Sequence, residues 1–272
     1  MSLLTVTGVS YVYPNGHPAV EGVSLSVERG ESVAVIGQNG AGKTTLVKMM
    51  NGLLRPSTGS IEVDGVHTRG RSTADVSRQV GYVFQNPDDQ IFHDDVASEI
   101  AFGPRRLGFD REKVIAQVLR AAKLCRIDDQ LTENPYNIPF GLRKFVTIAS
   151  VIAMDPDVII LDEPTAGQDA AATALLSDLL RTLTNDGKSV VTITHDREFV
   201  AENFARTVGM ADRRVLADTK TAEAFAEPDL LLAAGLAAPA ARKLADRIGL
   251  GGSALSMPEL VSQLMGRSTA GV

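Results

Sequence analysis

Apolar and polar positions alternate with a period of two along residues 3–35: Leu4 and Val6, then Val23, Leu25 and Val27, then Val33 and Val35. Such alternation sets one face of an extended strand against a core. Turn residues intervene at Pro14-Asn15-Gly16 and at Arg29-Gly30, so antiparallel strands leading to a third are expected. A strand at Ser60–Val63 ends in Asp64-Gly65, and Val80–Phe84 forms another short one. From about residue 95 the period lengthens. Val114, Val118, Leu119, Ala122 and Leu124 follow helical spacing, and a further helix is predicted from about Leu142 to Met154. Val158-Ile159-Ile160-Leu161 is a continuous apolar strand closing on Asp162, and Ser189–Thr194 is a second buried strand. Between them Leu175, Leu176, Leu179, Leu180 and Leu183 mark an amphipathic helix that stops at Asn185-Asp186-Gly187. Strands alternating with helices predict an α/β fold with a mainly parallel sheet. After about residue 212 Ala and Leu dominate, broken by Pro228, Pro239, Gly251-Gly252 and Pro258. Short helices are expected near 221–226, 239–248 and 258–265. The pattern leaves open whether this appendage docks, dimerises or caps the main domain.

The third strand, Ser32–Ile36, runs into Gly37-Gln38-Asn39-Gly40-Ala41-Gly42-Lys43-Thr44-Thr45, and a helical segment follows. The segment has the P-loop form G-x-x-x-x-G-K-[ST] in the strand–loop–helix context that form requires. Small residues at Gly37, Gly40, Ala41 and Gly42 let the backbone curl so that its N–H groups point at phosphates, with the helix N-terminus behind them. Lys43 supplies a point charge for the β/γ phosphates, and the Thr44 hydroxyl suits Mg2+. A nucleoside triphosphate is the expected ligand.

Composition narrows the classes. A chain of 272 residues holds one large domain, or one with an appendage. Net charge −6 and a pI near 5.3 lack the basic footprint of a nucleic-acid binder. Cys125 is alone, so it forms no internal disulfide, and its helical context reads as a reduced core thiol. No apolar run reaches the length of a membrane-spanning helix, about 18 residues or more. Ser2–Thr5 run straight into a strand, so no secretory signal is expected and a cytoplasmic placement follows. His17, His67 and His93 fall in predicted loops without metal-ligand spacing.

Val158-Ile159-Ile160-Leu161-Asp162-Glu163 has the form of a Walker B strand. A carboxylate at the C-terminal end of a buried parallel strand sits where ligands bind in α/β sheets. Asp162 there can organise Mg2+, and Glu163 can polarise an attacking water. With the P-loop, these residues resemble the ATPase subunits of ABC transporters over residues 3–212. Gln85, after Tyr82-Val83-Phe84, is similar to the family's Q-loop glutamine. Pro164–Asp169 resembles its D-loop, with Gln168 where Leu is usual. His195 resembles its switch histidine, and Tyr13 stands where an aromatic stacks on adenine, although a strand aromatic in the core is the other reading. The resemblance implies a P-loop NTPase fold of the ABC ATPase type: a RecA-like core, an antiparallel β subdomain, a helical subdomain at about 90–150, and a small C-terminal helical appendage over 213–272. It implies ATP and Mg2+ held by Tyr13, Asn39, Gly40, Ala41, Gly42, Lys43, Thr44 and Thr45. The metal would lie near Thr44, Gln85 and Asp162, and catalysis would fall to Glu163, His195 and Gln85.

Phe84-Gln85-Asn86-Pro87-Asp88-Asp89-Gln90-Ile91-Phe92, Ala101-Phe102-Gly103-Pro104 and Met257–Val261 narrow the resemblance to the energy-coupling factor (ECF) group. Its members import vitamins or transition-metal ions, two ATPases driving a transmembrane coupling subunit that works with a substrate-binding membrane subunit. The resemblance therefore implies a subunit seated peripherally on the cytoplasmic face of the membrane. Asp88, Asp89, Phe92 and Pro104 are candidate contacts to that coupling subunit, or plain loop residues.

One motif departs from the pattern. Where the family has L-S-G-G-Q, this chain has Ile138-Pro139-Phe140-Gly141-Leu142, of which Gly141 matches. In the family that segment closes over the nucleotide of a second ATPase. Pro139 offers neither hydroxyl nor N–H, and Phe140 adds bulk. A heterodimer with one competent and one degenerate site is expected, and a homodimer in which the helix dipole, Arg143 or Lys144 compensates is the alternative. A solvated helix start is the plainer expectation for Arg143 and Lys144. Two other functions stay open: a regulatory module that binds ATP with little turnover, and a soluble ABC protein outside transport.

Overall fold

The computed structural model describes residues 2–250 and 254–269. Two sheets form it. The first is antiparallel, in the order β2-β1-β4-β5, from β1 (Ser2–Val12), β2 (Pro18–Glu28), β4 (Thr58–Val63) and β5 (Val66–His67). The alternating positions read from the sequence, Leu4, Val6, Val23, Leu25 and Val27, are buried in it, and Leu3, Val9, Ala19 and Val20 are buried beside them. The second sheet is ordered β10-β9-β3-β8-β7-β6. There β3 (Ser32–Ile36), β6 (Val80–Val83), β7 (Val158–Asp162), β8 (Ser189–Ile193) and β9 (Arg206–Ala211) are parallel, and β10 (Arg214–Lys220) closes the edge as an antiparallel hairpin with β9. The central strands β7 and β8 are buried at every position, as strands covered on both faces must be.

Helices join the strands: α1 (Lys43–Met50), α2 (Thr73–Ser77), α3 (Val96–Arg106), α4 (Arg111–Leu124), α5 (Phe140–Ala153), α6 (Ala170–Asn185) and α7 (Arg197–Asn203). Each of α3, α4, α6 and α7 starts at an aspartate, Asp95, Asp110, Asp169 or Asp196, whose carboxylate accepts a first-turn N–H. Helices α3, α4 and α5 pack on one another and bring the signature segment, residues 138–142 in the place of L-S-G-G-Q, toward the β6 edge of the sheet.

Residue 212, where the composition shifts, lies in the β9–β10 turn, so the chain crosses the sheet edge once more before the helices α8 (Thr221–Ala224), α9 (Pro228–Ala233), α10 (Ala240–Arg247) and α11 (Met257–Thr269). Helix α9 replaces the break expected at Pro228, which occupies the first helical turn, where its missing N–H costs nothing. Gly251-Gly252 lie outside the described residues. Among the described residues no helix is long and apolar enough to cross a membrane.

Candidate functional site

The P-loop is shaped by two glycines that admit no side chain. Gly37 has φ +151° and Gly42 φ +97°, and a Cβ on either would lie 2.2 Å from the Met210 carbonyl oxygen or 2.3 Å from that of Ala19. The loop therefore lies flat on β9 and on β2. Lys43 Nζ curls back to donate to the Gly37 carbonyl at 2.8 Å and the Gln38 carbonyl at 3.1 Å, at the mouth of the loop. Burial lowers its pKa, and the carboxylates of Glu163 and Asp162 oppose that shift.

One cleft gathers Tyr13, Asn39, Gly40, Gly42, Lys43, Thr44, Thr45, Gln85 and Glu163. Ala41 is buried beneath it at 2% exposure. Tyr13 is fixed from two sides, by an edge-on contact with Tyr11 at 5.0 Å and by a 2.9 Å hydrogen bond between its hydroxyl and Thr45 Oγ1. It lies at the cleft rather than in the core. Gln85 stands exposed in the loop after β6.

Asp162 is 2% exposed at the end of β7. Its Oδ2 accepts from the Tyr82 hydroxyl at 2.7 Å. Its Oδ1 is buried and without a hydrogen-bond partner among the described residues. Burial raises the Asp162 pKa, and the Tyr82 and Thr44 hydroxyls pull it back. Burial and the Asp162 charge raise the Tyr82 pKa, so the phenol stays a donor. A buried, unpaired carboxylate oxygen beside a Thr hydroxyl fits a hard divalent cation such as Mg2+, which takes oxygen ligands.

Glu163 occupies a left-handed backbone conformation, φ +48°, that a non-glycine residue rarely adopts. Its N–H donates to the Ile193 carbonyl at 2.8 Å, and its Oε2 accepts from His195 Nδ1 at 2.9 Å. His195 is not part of the P-loop cleft lining. It borders a neighbouring depression with Thr165, Ala166, Gly167 and Asp196, and reaches the site through Glu163. A carboxylate oxygen accepts, so Nδ1 is the donor in this contact and Nε2 faces away from Glu163.

The two departures from the family pattern meet in space. Gln168 Nε2 donates to the Gly141 carbonyl at 3.5 Å, and the Phe140 ring lies against Gly167. Pro139 precedes α5 without any side-chain cap. The expectation that Arg143 and Lys144 are a solvated helix start is overturned, most fully at Lys144. Lys144 is 0% exposed, and its Nζ donates to the Phe84 carbonyl at 3.1 Å and to the Gln85 carbonyl. Burial lowers its pKa to about 8, against the pull of Asp162 and Glu163. Arg143 is also engaged, with the Tyr136 carbonyl at 2.8 Å and Asp88 at 3.2 Å. Sequence alone gave no sign of the Lys144 or Tyr82 contacts, since both partners are remote in the chain.

Residues 20–166 match the family model described as ABC transporter. A putative ABC transporter ATP-binding protein of Methanosarcina acetivorans is 42% identical over 235 residues, 86% of this chain and 38% of the relative. The chain thus spans well under half of that relative's length. The energy-coupling factor transporter ATP-binding protein EcfA of Methanothermobacter thermautotrophicus is 34% identical over 252 residues, 92% of this chain and 81% of that protein. The solved structure of cbiO1 from Clostridium perfringens, part of the ABC transporter complex cbiONQ, superposes with a TM-score of 0.77 at 31% identity, covering 91% of this chain and 96% of that one. The P-loop and the Walker B carboxylates lie within the matched residues, and the chain belongs to the ABC transporter family, of which it carries the ATPase domain.

Proposed function

We propose that this chain hydrolyses ATP as a subunit of an ECF-type importer, coupling ATP binding and turnover to uptake of a vitamin or a transition-metal ion. The observation that carries the chemistry is the convergence of Lys43, Thr44, Gln85 and Glu163 on one cleft, with Asp162 buried just behind them. Tyr13 offers a ring to the adenine. The backbone of Asn39, Gly40, Ala41 and Gly42, with the Thr44 and Thr45 hydroxyls, cradles the phosphates. Lys43 leaves its two carbonyls for the β/γ phosphates. Thr44, Asp162 and Gln85 would hold Mg2+, which supplies positive charge where the transferring phosphoryl group gathers negative charge. Glu163 takes the proton of the attacking water. Its Oε2 is engaged by His195, so among the described residues Oε1 is the oxygen left open to the water. His195 thereby orients the base, and Gln85 positions the water.

The importer reading is supported by the EcfA relative, by the cbiO1 neighbour and by the Phe84–Phe92 and Ala101–Pro104 segments. Phe92 is 61% exposed and stacks edge-on against Phe102 at 4.8 Å. The two rings flank a mainly apolar groove that reaches Phe84, beside Gln85. This groove suits a helix of the transmembrane coupling subunit. The second ATPase would meet this chain head-to-tail. The Pro139-Phe140-Gly141 start of α5 makes a partner with an intact signature the better fit, since losing one preorganised donor costs roughly 10²–10³ in rate.

Glu163→Gln tests the chemistry. Turnover is expected to fall about 100-fold or more, with ATP binding retained. Turnover that survives would remove Glu163 as the base. Recovery of a transmembrane coupling subunit and a second ATPase with this chain from native membranes is the expected result for the importer, and recovery with soluble proteins alone would overturn it.

A further inference from the structure

A fully buried ammonium is costly, and a leucine or methionine of similar volume would fill the same space without that cost. Lys144 nevertheless lies at 0% exposure, with no carboxylate in ion-pair contact among the described residues. Its acceptors are two consecutive main-chain carbonyls, Phe84 and Gln85. The grip on this stretch of main chain has a second half. Phe84 N–H donates to Gln90 Oε1 at 3.1 Å, and Gln90 Nε2 donates to the Thr147 carbonyl at 3.3 Å, one turn along α5. Thr147 Oγ1 returns to the Lys144 carbonyl at 2.8 Å. Both main-chain groups of Phe84 are therefore tied to α5, the carbonyl directly by Lys144 and the N–H through Gln90, immediately before the glutamine that enters the nucleotide cleft. The same helix starts at Phe140-Gly141, the segment that in this family faces the nucleotide of the second ATPase.

We propose that Lys144 is a positioning residue for ATP hydrolysis. Its buried ammonium locks the Gln85 loop to α5, so that Gln85 and the Phe140-Gly141 segment move as one body. Gln85 cannot follow the γ-phosphate without carrying the signature segment, and a change at this chain's own nucleotide is transmitted to the surface it offers its partner. The lock does not depend on a signature serine, which Pro139 lacks. This inference rests on the reading that Gln85 serves the nucleotide site.

The test uses the full chain. Lys144→Met removes the donors and keeps the bulk. Lys144→Arg keeps a cation, and Gln90→Ala removes the other half of the grip. The P-loop, Tyr13 and Glu163 are untouched, so ATP affinity is expected to stay within about twofold. Turnover is expected to fall about tenfold or more in Lys144→Met, through kcat and not KM, because a misplaced group costs rate more than binding. Lys144→Arg should recover part of it and Gln90→Ala should lie between. Hydrogen exchange on the wild-type chain needs no variant to fold. ATP with Mg2+ should protect the amides of 84–90 and of 140–145 together. Protection of 84–90 alone, or a Lys144→Met enzyme that turns over at the wild-type rate, overturns the proposal. ATP that protects the P-loop amides but neither 84–90 nor 140–145 overturns the Gln85 reading instead.

Discussion

Glu163 sits at φ +48° because three constraints overdetermine it: the end of β7, its N–H on the Ile193 carbonyl, and its carboxylate on His195. Strain of this kind costs on the order of 1–3 kcal/mol and persists where surrounding contacts fix it. Burial acts on Lys144 in a similar way, and there it gives a pH dependence whose sign can be worked out. Its pKa falls from the ordinary 10.5 to about 8 on folding. Between those values the unfolded chain binds more protons, so the Lys144 contribution to stability is complete above about 10.5 and is lost as pH falls through about 8. Lys43 is lowered too and adds the same sign, but it is shared by wild type and a Lys144→Met variant. The wild type should therefore gain on Lys144→Met by about 1 kcal/mol per pH unit across that window, measured by denaturant unfolding. A flat difference would mean that Lys144 titrates normally. Gln168 offers a second check. Its Oε1 is buried without a partner among the described residues, so Gln168→Leu removes an orphaned acceptor together with one long hydrogen bond to Gly141. Thermal stability should change by less than about 1 kcal/mol, because the lost bond and the relieved oxygen offset each other. The P-loop, Asp162 and Glu163 were legible in the sequence because each is a contiguous motif ending a strand. Lys144 was not, since its burial is decided by carbonyls some sixty positions upstream, and next to Arg143 it reads as a charged helix start.

At the scale of elements, the geometry of the site depends on how closely α5 approaches β6. Gly81 makes that approach possible: a Cβ there would lie 2.4 Å from Val151 Cγ1 and 3.0 Å from Pro156 Cγ. Valine is stiff about its first torsion and proline is a ring, so neither can swing away. Gly81→Ala should cost about 1–3 kcal/mol and push α5 outward, away from the Phe84 and Gln85 carbonyls. The expected signature is a lowered melting temperature with a fall in turnover larger than the loss of folded protein. A variant with wild-type stability would mean that α5 has room to give. The strands were predictable because their periods and turn residues are local. The hairpin of β9 and β10 and the helix α9 were not. Arg214–Lys220 alternates with only intermediate burial and takes its strand state from pairing with β9. Pro228 carries opposite meanings in the first turn of a helix and beyond its end.

At the scale of the molecule, the C-terminal helices divide into a part that completes the main core and a part that packs on itself. Phe225, Leu231 and Leu255 belong to the core cluster that also holds α3 to α6, whereas Ala241, Ala245, Leu250, Ala254 and Leu260 form a separate cluster. The first part also touches the nucleotide machinery. Gly235 lies so close to Gln38 of the P-loop that a Cβ would stand 3.1 Å from its side chain, whereas the second part reaches Glu198 of α7, through the Ala240 N–H at 2.8 Å. Two truncations separate these roles. Ending the chain after Ala238 removes α10 and α11 and, among the described residues, takes only Leu255 from the main core, a loss of about 2 kcal/mol. The P-loop keeps its Gly235 neighbour, so ATP affinity should hold. Ending it after Lys220 also removes Phe225 and Leu231. It should cost roughly three times as much, since each buried side chain contributes about 1.5–3 kcal/mol. ATP affinity should fall as well, because Gln38 of the P-loop then loses the Gly235 backbone packed beside it. Melting temperature and nucleotide titration on the two truncated chains read both effects. If the two chains melt together, Phe225 and Leu231 contribute nothing to the core. If only the shorter one loses ATP, residues 221–238 are part of the ATPase unit, and the appendage proper begins with α10.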